Sequence, residues 1–427
     1  MEIEKLNEWN PWWEDKILIK ELTGLTREKY DFLIDSINIK EIIVITGIRR
    51  SGKSTLMYQM IEKLLSKEID PKQILFVNFE DKKLINDSLD DIYLSYRKNM
   101  NPGKKAYIFF DEIHKREGWE SWIRKKYDLK SNDKFVISGS CSYLLKKEYS
   151  TLLTGRNLAF EVFPLSFEEF LIFNKINFKK ENIKKGVILE KTKILILKYL
   201  EEYINLGGFP EVFLKNEKFK IKILEQYFDD ILYKDIIERY NLNSQKARDL
   251  AIFLITNFTS LMSLRNIRNS LDISYDTIKD YLNYYKEAFL FFTVDHFSYS
   301  FKEQKTLASK IYCIDNGLRN AVSFKFSKDE GKLVENLVFI ELKKKNKDIY
   351  YWKNNGEVDF IIKEKDQSLI AINVSYSNEI NDREINAIIE SRQQLKKIKQ
   401  TIIITKEVEK EENKIKFIPL WKWLLLN

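Results

Sequence analysis

The sequence predicts an α/β protein in which a parallel sheet covered on both faces comes first, a helical region follows, and a smaller α/β module closes the chain. Three observations predict it. Short β-branched or aromatic runs at 42–46, 74–78, 107–110, 135–138 and 159–162 alternate with helical stretches, and near-continuous apolar strands between helices mark a parallel sheet buried on both sides. From about 187 to 290 apolar residues recur at helical spacing with almost no strand pattern, as in a helical domain. Beyond it come a helix near 333–344, strand-like runs at 349–352, 358–362 and 369–374, a helix to about 397 and a strand at 401–405. The expected domains are 1–170, 171–325 and 326–427, with the polar stretch 179–185 as a candidate linker.

Composition narrows the class. Apolar residues are 44% and charged residues 32% of 427, enough for buried cores and too apolar for wholesale disorder. The two histidines, His114 and His296, and the two cysteines, Cys141 and Cys313, are far apart, which excludes the paired spacing of a structural zinc site and any disulfide framework. Two isolated thiols and the acidic start MEIEKLNEWN lead to the expectation of a cytoplasmic protein without a secretory leader. Apolar runs such as 288–294 fall short of the ~18 residues of a membrane helix. The net charge of +8 is spread along the chain; it permits nucleic-acid binding and equally describes a solvated lysine-rich surface.

The first run leads into GIRRSGKST at 47–55 and then into an apolar helical stretch. Strand, glycine loop and helix in that order form a phosphate-binding loop of the pattern G-x-x-x-x-G-K-[ST]. Gly47 and Gly52 let backbone N–H groups close around phosphate oxygens, with Ser51 and Thr55 beside them; Lys53 neutralises the β- and γ-phosphates, and the Ser54 hydroxyl ligates Mg²⁺. Arg49 and Arg50 add positive charge to the loop or pair with surface carboxylates. ATP and Mg²⁺ are therefore the expected cofactors, and a P-loop NTPase sheet the expected fold.

A carboxylate for the metal belongs at the end of a neighbouring strand. In AYIFFDEIH the run 107–110 ends in Asp111 and Glu112; Asp111 is the expected metal residue and Glu112 the general base for the attacking water. A strand inserted between this one and the phosphate loop, namely 135–138, would bring Ser138 and Ser140 toward the γ-phosphate, unless they are ordinary turn residues around Gly139. Arg156 in LLTGRN is either an arginine acting on the γ-phosphate, in its own subunit or a neighbour's, or a surface residue.

With these motifs in place, the chain resembles the prokaryotic, notably archaeal, AAA-like P-loop ATPases that carry a winged helix and a C-terminal restriction-endonuclease-like domain. The resemblance runs over nearly the whole chain: NPWWEDK at 10–16, GIRRSGKST at 47–55, FVNFED at 76–81, FFDEIH at 109–114, SGSCSYLL at 138–145 and TGRNLAFEVFPLSFEEFL at 154–171. Further on come GGFPEVF at 207–213, KIYCIDNGLRNA at 310–321, ENLVFIEL at 335–342, EVDFII at 357–362 and IPLWKWLL at 418–425. It implies an ATP-driven switch or motor associated with mobile elements or defence.

Within the helical region, LRNIRNSLDISYDTIKDYLNYYKEAFLF reads as a helix–turn–helix with Ser274 capping its second helix. Runs at 291–296 and 310–314, with Lys302 and Lys305 between them, would form a wing. Arg265 and Arg268 favour DNA contact, Asp276 and Asp280 oppose it, and such domains also dock proteins. The last domain resembles nucleases that set a helix glutamate, a hairpin aspartate and a strand E-x-K about one divalent metal. Glu335 and Asp359 match; the third strand reads Asn373-Val374-Ser375, so the expected charge and lysine are gone and cleavage is not expected.

The expected function is thus a Mg²⁺-dependent ATPase switch with DNA as its macromolecular partner. A non-cycling nucleotide sensor recruiting a protein and an ATP-dependent nuclease are the alternatives, and self-association is left open.

Overall fold

A computed structural model describes residues 1–27, 31–129, 131–142, 153, 155–323, 329–377 and 379–426, without the side chain of Lys305. Parts of two quoted motifs, 143–145 and Thr154, and the Lys305 side chain of the expected wing therefore lie outside the described residues. The chain forms two compact units, Met1–Val162 and Phe163–Asn427.

The first unit is built on five parallel strands, β1 (Ile42–Thr46), β2 (Ile74–Asn78), β3 (Tyr107–Asp111), β4 (Lys134–Gly139) and β5 (Asn157–Glu161), in the order β2-β3-β4-β1-β5. The inserted strand expected at 135–138 is β4, paired with β3 on one side and β1 on the other. Alternate side chains of a strand face opposite ways, and here both sets are buried. Ile43, Ile45, Phe76, Phe109 and Val136 pack against Leu56, Met57 and Met60 of the helix Lys53–Ser66. Ile42, Val44, Val77, Phe110 and Ile137 pack on the other side against Ile92, Tyr96, Trp119 and Ile123. Each large apolar side chain so buried contributes about 1.5–3 kcal/mol, which explains why these strands read as continuous apolar runs.

The edge of this sheet is closed by the motif NPWW. Asn10 mimics a strand partner, accepting from Phe76 N at 2.7 Å and donating to Phe76 O at 2.8 Å, while Trp13 Nε1 donates to Ile74 O at 2.8 Å. An edge strand left unpaired is a template for association; here β2 is covered by the chain's own N-terminal segment.

The second unit opens with helices, including Glu190–Leu206, Glu217–Asp230 and Ser244–Thr256. The polar stretch expected as a linker contains a short helix, Lys180–Lys184, with Ile183 buried. Asp235 is buried on a π-helical turn, Ile231–Ile237. Helices Leu264–Leu271 and Tyr275–Glu287 follow, with the Ser274 hydroxyl accepting from Thr277 N as its position predicts. An antiparallel pair, β6 (Phe291–Val294) and β7 (Lys310–Cys313), comes next.

A six-stranded mixed sheet ends the chain: β8 (Asp348–Lys353), β9 (Glu357–Lys363), β10 (Leu369–Ser375), β11 (Ile398–Thr405), β12 (Lys410–Glu412) and β13 (Ile415–Pro419), in the order β12-β13-β11-β10-β9-β8. The helix Glu330–Lys344 precedes it and Asp382–Gln394 joins β10 to β11. Two separated motifs meet in this unit. The Asp315 carboxylate accepts from Gly208 N at 2.6 Å, Gly317 N at 2.8 Å and Leu318 N at 3.3 Å. A Cβ on Gly207, where φ is +75°, would fall 1.9 Å from the same carboxylate, so this turn has room only for glycine. Among the described residues no helix is long and apolar enough to cross a membrane, and both cysteines are buried.

Candidate active site

The phosphate loop lies between the end of β1 and the helix Lys53–Ser66, whose N-terminus carries partial positive charge from unpaired N–H groups. Its backbone needs its glycines. Gly47 has φ +143° and a Cβ there would lie 2.1 Å from Val162 O; Gly52 caps the helix with φ +96°. Arg50 takes the left-handed conformation at φ +68°, unusual for a side-chain-bearing residue and a feature of functional loops.

Lys53 is buried, and its ammonium donates to Gly47 O at 3.0 Å and Ile48 O at 3.2 Å, with Glu112 Oε1 at 3.7 Å. The buried Ser51 hydroxyl has no hydrogen-bond partner among the described residues. A cation held by exchangeable carbonyls, an unengaged hydroxyl and a helix N-terminus in one loop fit an incoming phosphate chain.

Asp111 ends β3 and is fully buried. Its Oδ2 accepts from the Ser54 hydroxyl at 2.6 Å and its Oδ1 from the Ser138 hydroxyl. Burial and the neighbouring charge of Glu112 push the Asp111 carboxyl up to about 6, against the pull of the Ser138 and Ser54 hydroxyls and Lys53. A hydroxyl and one carboxylate in contact are hard oxygen donors, and a magnesium ion that takes its other ligands from phosphates and water needs no more from the protein. Among the described residues no group of three or more His, Cys, Asp or Glu is arranged for a metal.

Glu112 sits in the left-handed region at φ +54°. Its N–H donates to Ser138 Oγ at 3.2 Å, and its Oε2 accepts from Ser140 N at 3.3 Å, with His114 Nδ1 3.4 Å away. The turn brings the carboxylate to Lys53 of the phosphate loop, where Ser140 N–H, just past the end of β4, bonds it, while Ser138 of β4 takes the Glu112 backbone N–H.

The structure therefore brings together Lys53, Ser54, Asp111, Glu112, Ser138 and the loop Gly47–Thr55, from the C-terminal ends of β1, β3 and β4 and the start of the helix Lys53–Ser66. Arg49 is held in an ion pair with Glu80, 2.7 Å away, and Arg50 is exposed. Arg156 is placed elsewhere: its carbonyl accepts from Ile42 N, at the start of β1, and its side chain meets Asp128 at 2.8 Å. The phosphate loop follows the other end of that strand.

Three participants were not legible as such in the sequence. Arg27 is buried with its guanidinium 2.9 Å from Ser51 O, supporting the loop from an N-terminal segment that has no motif. Glu80 holds Arg49, and His114 faces Glu112; both lie inside quoted motifs, but their roles depend on the strand order.

The residues expected for a nuclease centre also meet. Glu335, on the helix Glu330–Lys344, and Asp359, on β9, both reach Lys310 of β7, at 3.1 and 3.2 Å. Asn373 Oδ1 accepts from Asp359 N at 3.0 Å, and Asn373 Nδ2 donates to Glu384 Oε2 at 2.8 Å. Ser375 is buried two residues further along β10, at the strand's end.

These features define a P-loop ATPase domain of the AAA type, and comparison with known proteins agrees: residues 39–171 match the family described as "AAA domain". Residues 197–329 and 330–423 match families described as "Domain of unknown function", DUF8612 and DUF4143. More particularly, the chain belongs to the family of "Uncharacterized protein MJ1544" of Methanocaldococcus jannaschii, to which it is 36% identical over 407 residues, 90% of this chain and 88% of that protein. An "Uncharacterized protein" of Haemophilus influenzae is 31% identical over 94% of this chain and 98% of its own length. Among solved structures the chain is similar to the Aeropyrum pernix ORC1 protein in complex with DNA, at 11% identity over 71% of this chain and 90% of that one, TM-score 0.30. It is also similar to AMPPCP-bound DnaA from Aquifex aeolicus, at 14% identity over 61% and 87%, TM-score 0.28. Likeness this slight carries nothing about DNA or assembly to the present chain.

Proposed function

We propose that this protein is a Mg²⁺-dependent ATP hydrolase that works as a nucleotide-driven switch with duplex DNA as its partner. The observation that carries the enzymatic part is the convergence of Lys53, Ser54, Asp111 and Glu112 at one end of the sheet, with Ser54 and Asp111 already 2.6 Å apart. In this reading Lys53 exchanges the Gly47 and Ile48 carbonyls for phosphate oxygens, and Ser54 and Asp111 hold the magnesium ion. That ion supplies charge neutralisation on the β- and γ-phosphates. Glu112, fixed by Ser140 N–H, takes a proton from the attacking water, and Ser138 holds Asp111 in place. Arg156 lies at the far end of β1 and so would act only on the nucleotide of a second copy.

DNA association is supported by the helix–turn–helix and the antiparallel pair after it, read as a winged helix, and by exposed Arg265, Arg268 and Lys279. Exposed Asp276 and Asp280 on the second helix favour a second reading, in which this module docks a protein. The test is phosphate release from Mg·ATP by the intact protein, Lys53→Ala and Glu112→Gln, each with and without duplex DNA. Hydrolysis that rises with DNA and is lost in both variants is the expected result; hydrolysis indifferent to DNA at low salt leaves the protein-docking reading, and none above Glu112→Gln ends the hydrolase reading.

A further inference from the structure

The nuclease resemblance of the C-terminal sheet implies a divalent metal between Glu335 and Asp359. The residues present do not fit one. At the centre of this carboxylate set lies Lys310, almost wholly buried, its Nζ 3.1 Å from Glu335 Oε1, 3.2 Å from Asp359 Oδ1 and 2.7 Å from Glu357 Oε1. Magnesium or calcium would need those oxygens at about 2.0–2.6 Å, in the volume the ammonium fills. We propose that the Lys310 ammonium stands in for the metal, closing the centre to divalent ions and tying β7 to β9 and to the helix Glu330–Lys344.

The surroundings are built for an internal cation. Tyr312, two residues along the same strand, donates to Glu335 Oε1 at 2.7 Å, and Val374 N–H takes the second oxygen of Asp359 at 2.9 Å, so both carboxylates are fixed with an oxygen toward Lys310. Burial works against the ammonium, but the carboxylates of Asp359, Glu335 and Glu357 in contact with it outweigh that cost and keep Lys310 charged. Lys353, 3.1 Å from the other oxygen of Glu357, answers part of the remaining negative charge. The third-strand position of a nuclease carries neutral Asn373, which bonds the backbone of Asp359 and the side chain of Glu384. The charged third-strand pair was thus not simply lost: the carboxylates that remain are held together by a lysine from outside the nuclease-like module. This inference is independent of the ATPase reading, because it rests on distances within the second unit.

The experiment uses the full-length, nucleotide-free protein and measures Mn²⁺ binding by electron paramagnetic resonance and thermal unfolding. Wild type, Glu335→Gln, Lys310→Met and Lys310→Met/Glu335→Gln are compared. Wild type and Glu335→Gln are expected to bind the same amount of Mn²⁺. Lys310→Met is expected to lower Tm by on the order of 10 °C, and the double variant to lose clearly less than the two single losses added together. A wild-type Mn²⁺ site that disappears in Glu335→Gln, or strict additivity of the two substitutions, overturns the proposal. If Lys310→Met does not fold, Lys310→Met/Glu335→Gln/Asp359→Asn removes the unbalanced charges with near-isosteric groups. It is expected to fold, and its failure to do so also overturns the proposal. Phosphate release at the wild-type rate in every folded variant separates this result from the fate of the ATPase reading.

Discussion

Two buried lysines occupy carboxylate-lined sites in this molecule, and they are held in opposite ways. Lys53 leans on two neutral carbonyls at 3.0 and 3.2 Å, with its nearest carboxylate, Glu112, at 3.7 Å. Lys310 is in direct contact with three carboxylates at 2.7–3.2 Å. Neutral acceptors are readily exchanged for a stronger anionic one, so the first ammonium is poised for a ligand. Removing a partner from a buried ion pair leaves an uncompensated charge, so the second is fixed. A lysine near acidic residues therefore marks a working site or a closed one according to whether its present partners are replaceable.

The sharpest way to break this comparison is to delete both lysines. Lys53→Ala is expected to lower ATP hydrolysis by at least ~10²-fold and Glu112→Gln by ~10²–10⁴-fold with nucleotide still bound, both at nearly unchanged Tm, measured by phosphate release and fluorescent-nucleotide titration. Lys310→Met should do the reverse, costing about 3–5 kcal/mol of stability with hydrolysis intact. Equal effects on both readouts in either variant would erase the distinction.

Gly207→Ala sharpens the structural side. Its new Cβ would fall 1.9 Å from the Asp315 carboxylate at a positive φ, and a loss of roughly 1–3 kcal/mol in urea unfolding, without loss of hydrolysis, is expected.

The next test is pH. Asp111 is pushed up to about 6 by burial and Glu112, so Mg²⁺ competes with a proton below that value. Mg²⁺-dependent nucleotide affinity should weaken about tenfold per pH unit below 6 and level off above it. In the nucleotide-free protein the sign is reversed. A carboxylate raised from 3.8 to about 6 on folding contributes stability that is complete below 3.8 and is lost as pH rises through 6. An affinity flat from pH 5 to 8 would contradict a metal role for Asp111.

The smallest effect is expected from Glu80→Gln. It removes the charge opposite Arg49 at 2.7 Å; for an ion pair whose glutamate is open to solvent, nucleotide should bind tighter by no more than about fivefold.

Much of the first unit was legible because its information is local. The alternation of buried strands, the glycine loop, and the Asp111-Glu112 pair at a strand end are short contiguous patterns whose physics operates within a few residues. The insertion of β4 between β3 and β1 was readable too, since a parallel sheet admits few strand orders. Arg156 was less legible: its nearness in sequence to a site strand says nothing about which end of the sheet it occupies, and β5 starts beside Ile42, away from the loop. Arg27 had no pattern at all, because its bond to Ser51 O reaches the loop from a distant segment.

By itself the sequence determined the fold of the nucleotide-binding unit, the residues of its phosphate loop and the absence of the E-x-K pair from the last sheet, each a matter of periodicity or of residue identity at a spacing. Only the tertiary structure decided what became of the carboxylates left behind. Lys310 belongs to the run 310–314 that the sequence predicts as part of a wing, and Glu335, Glu357 and Asp359 come from two further elements. Their meeting depends on the packing of β7, β9 and the helix Glu330–Lys344, and charge balance in a buried site is a property of that packing which no local pattern encodes.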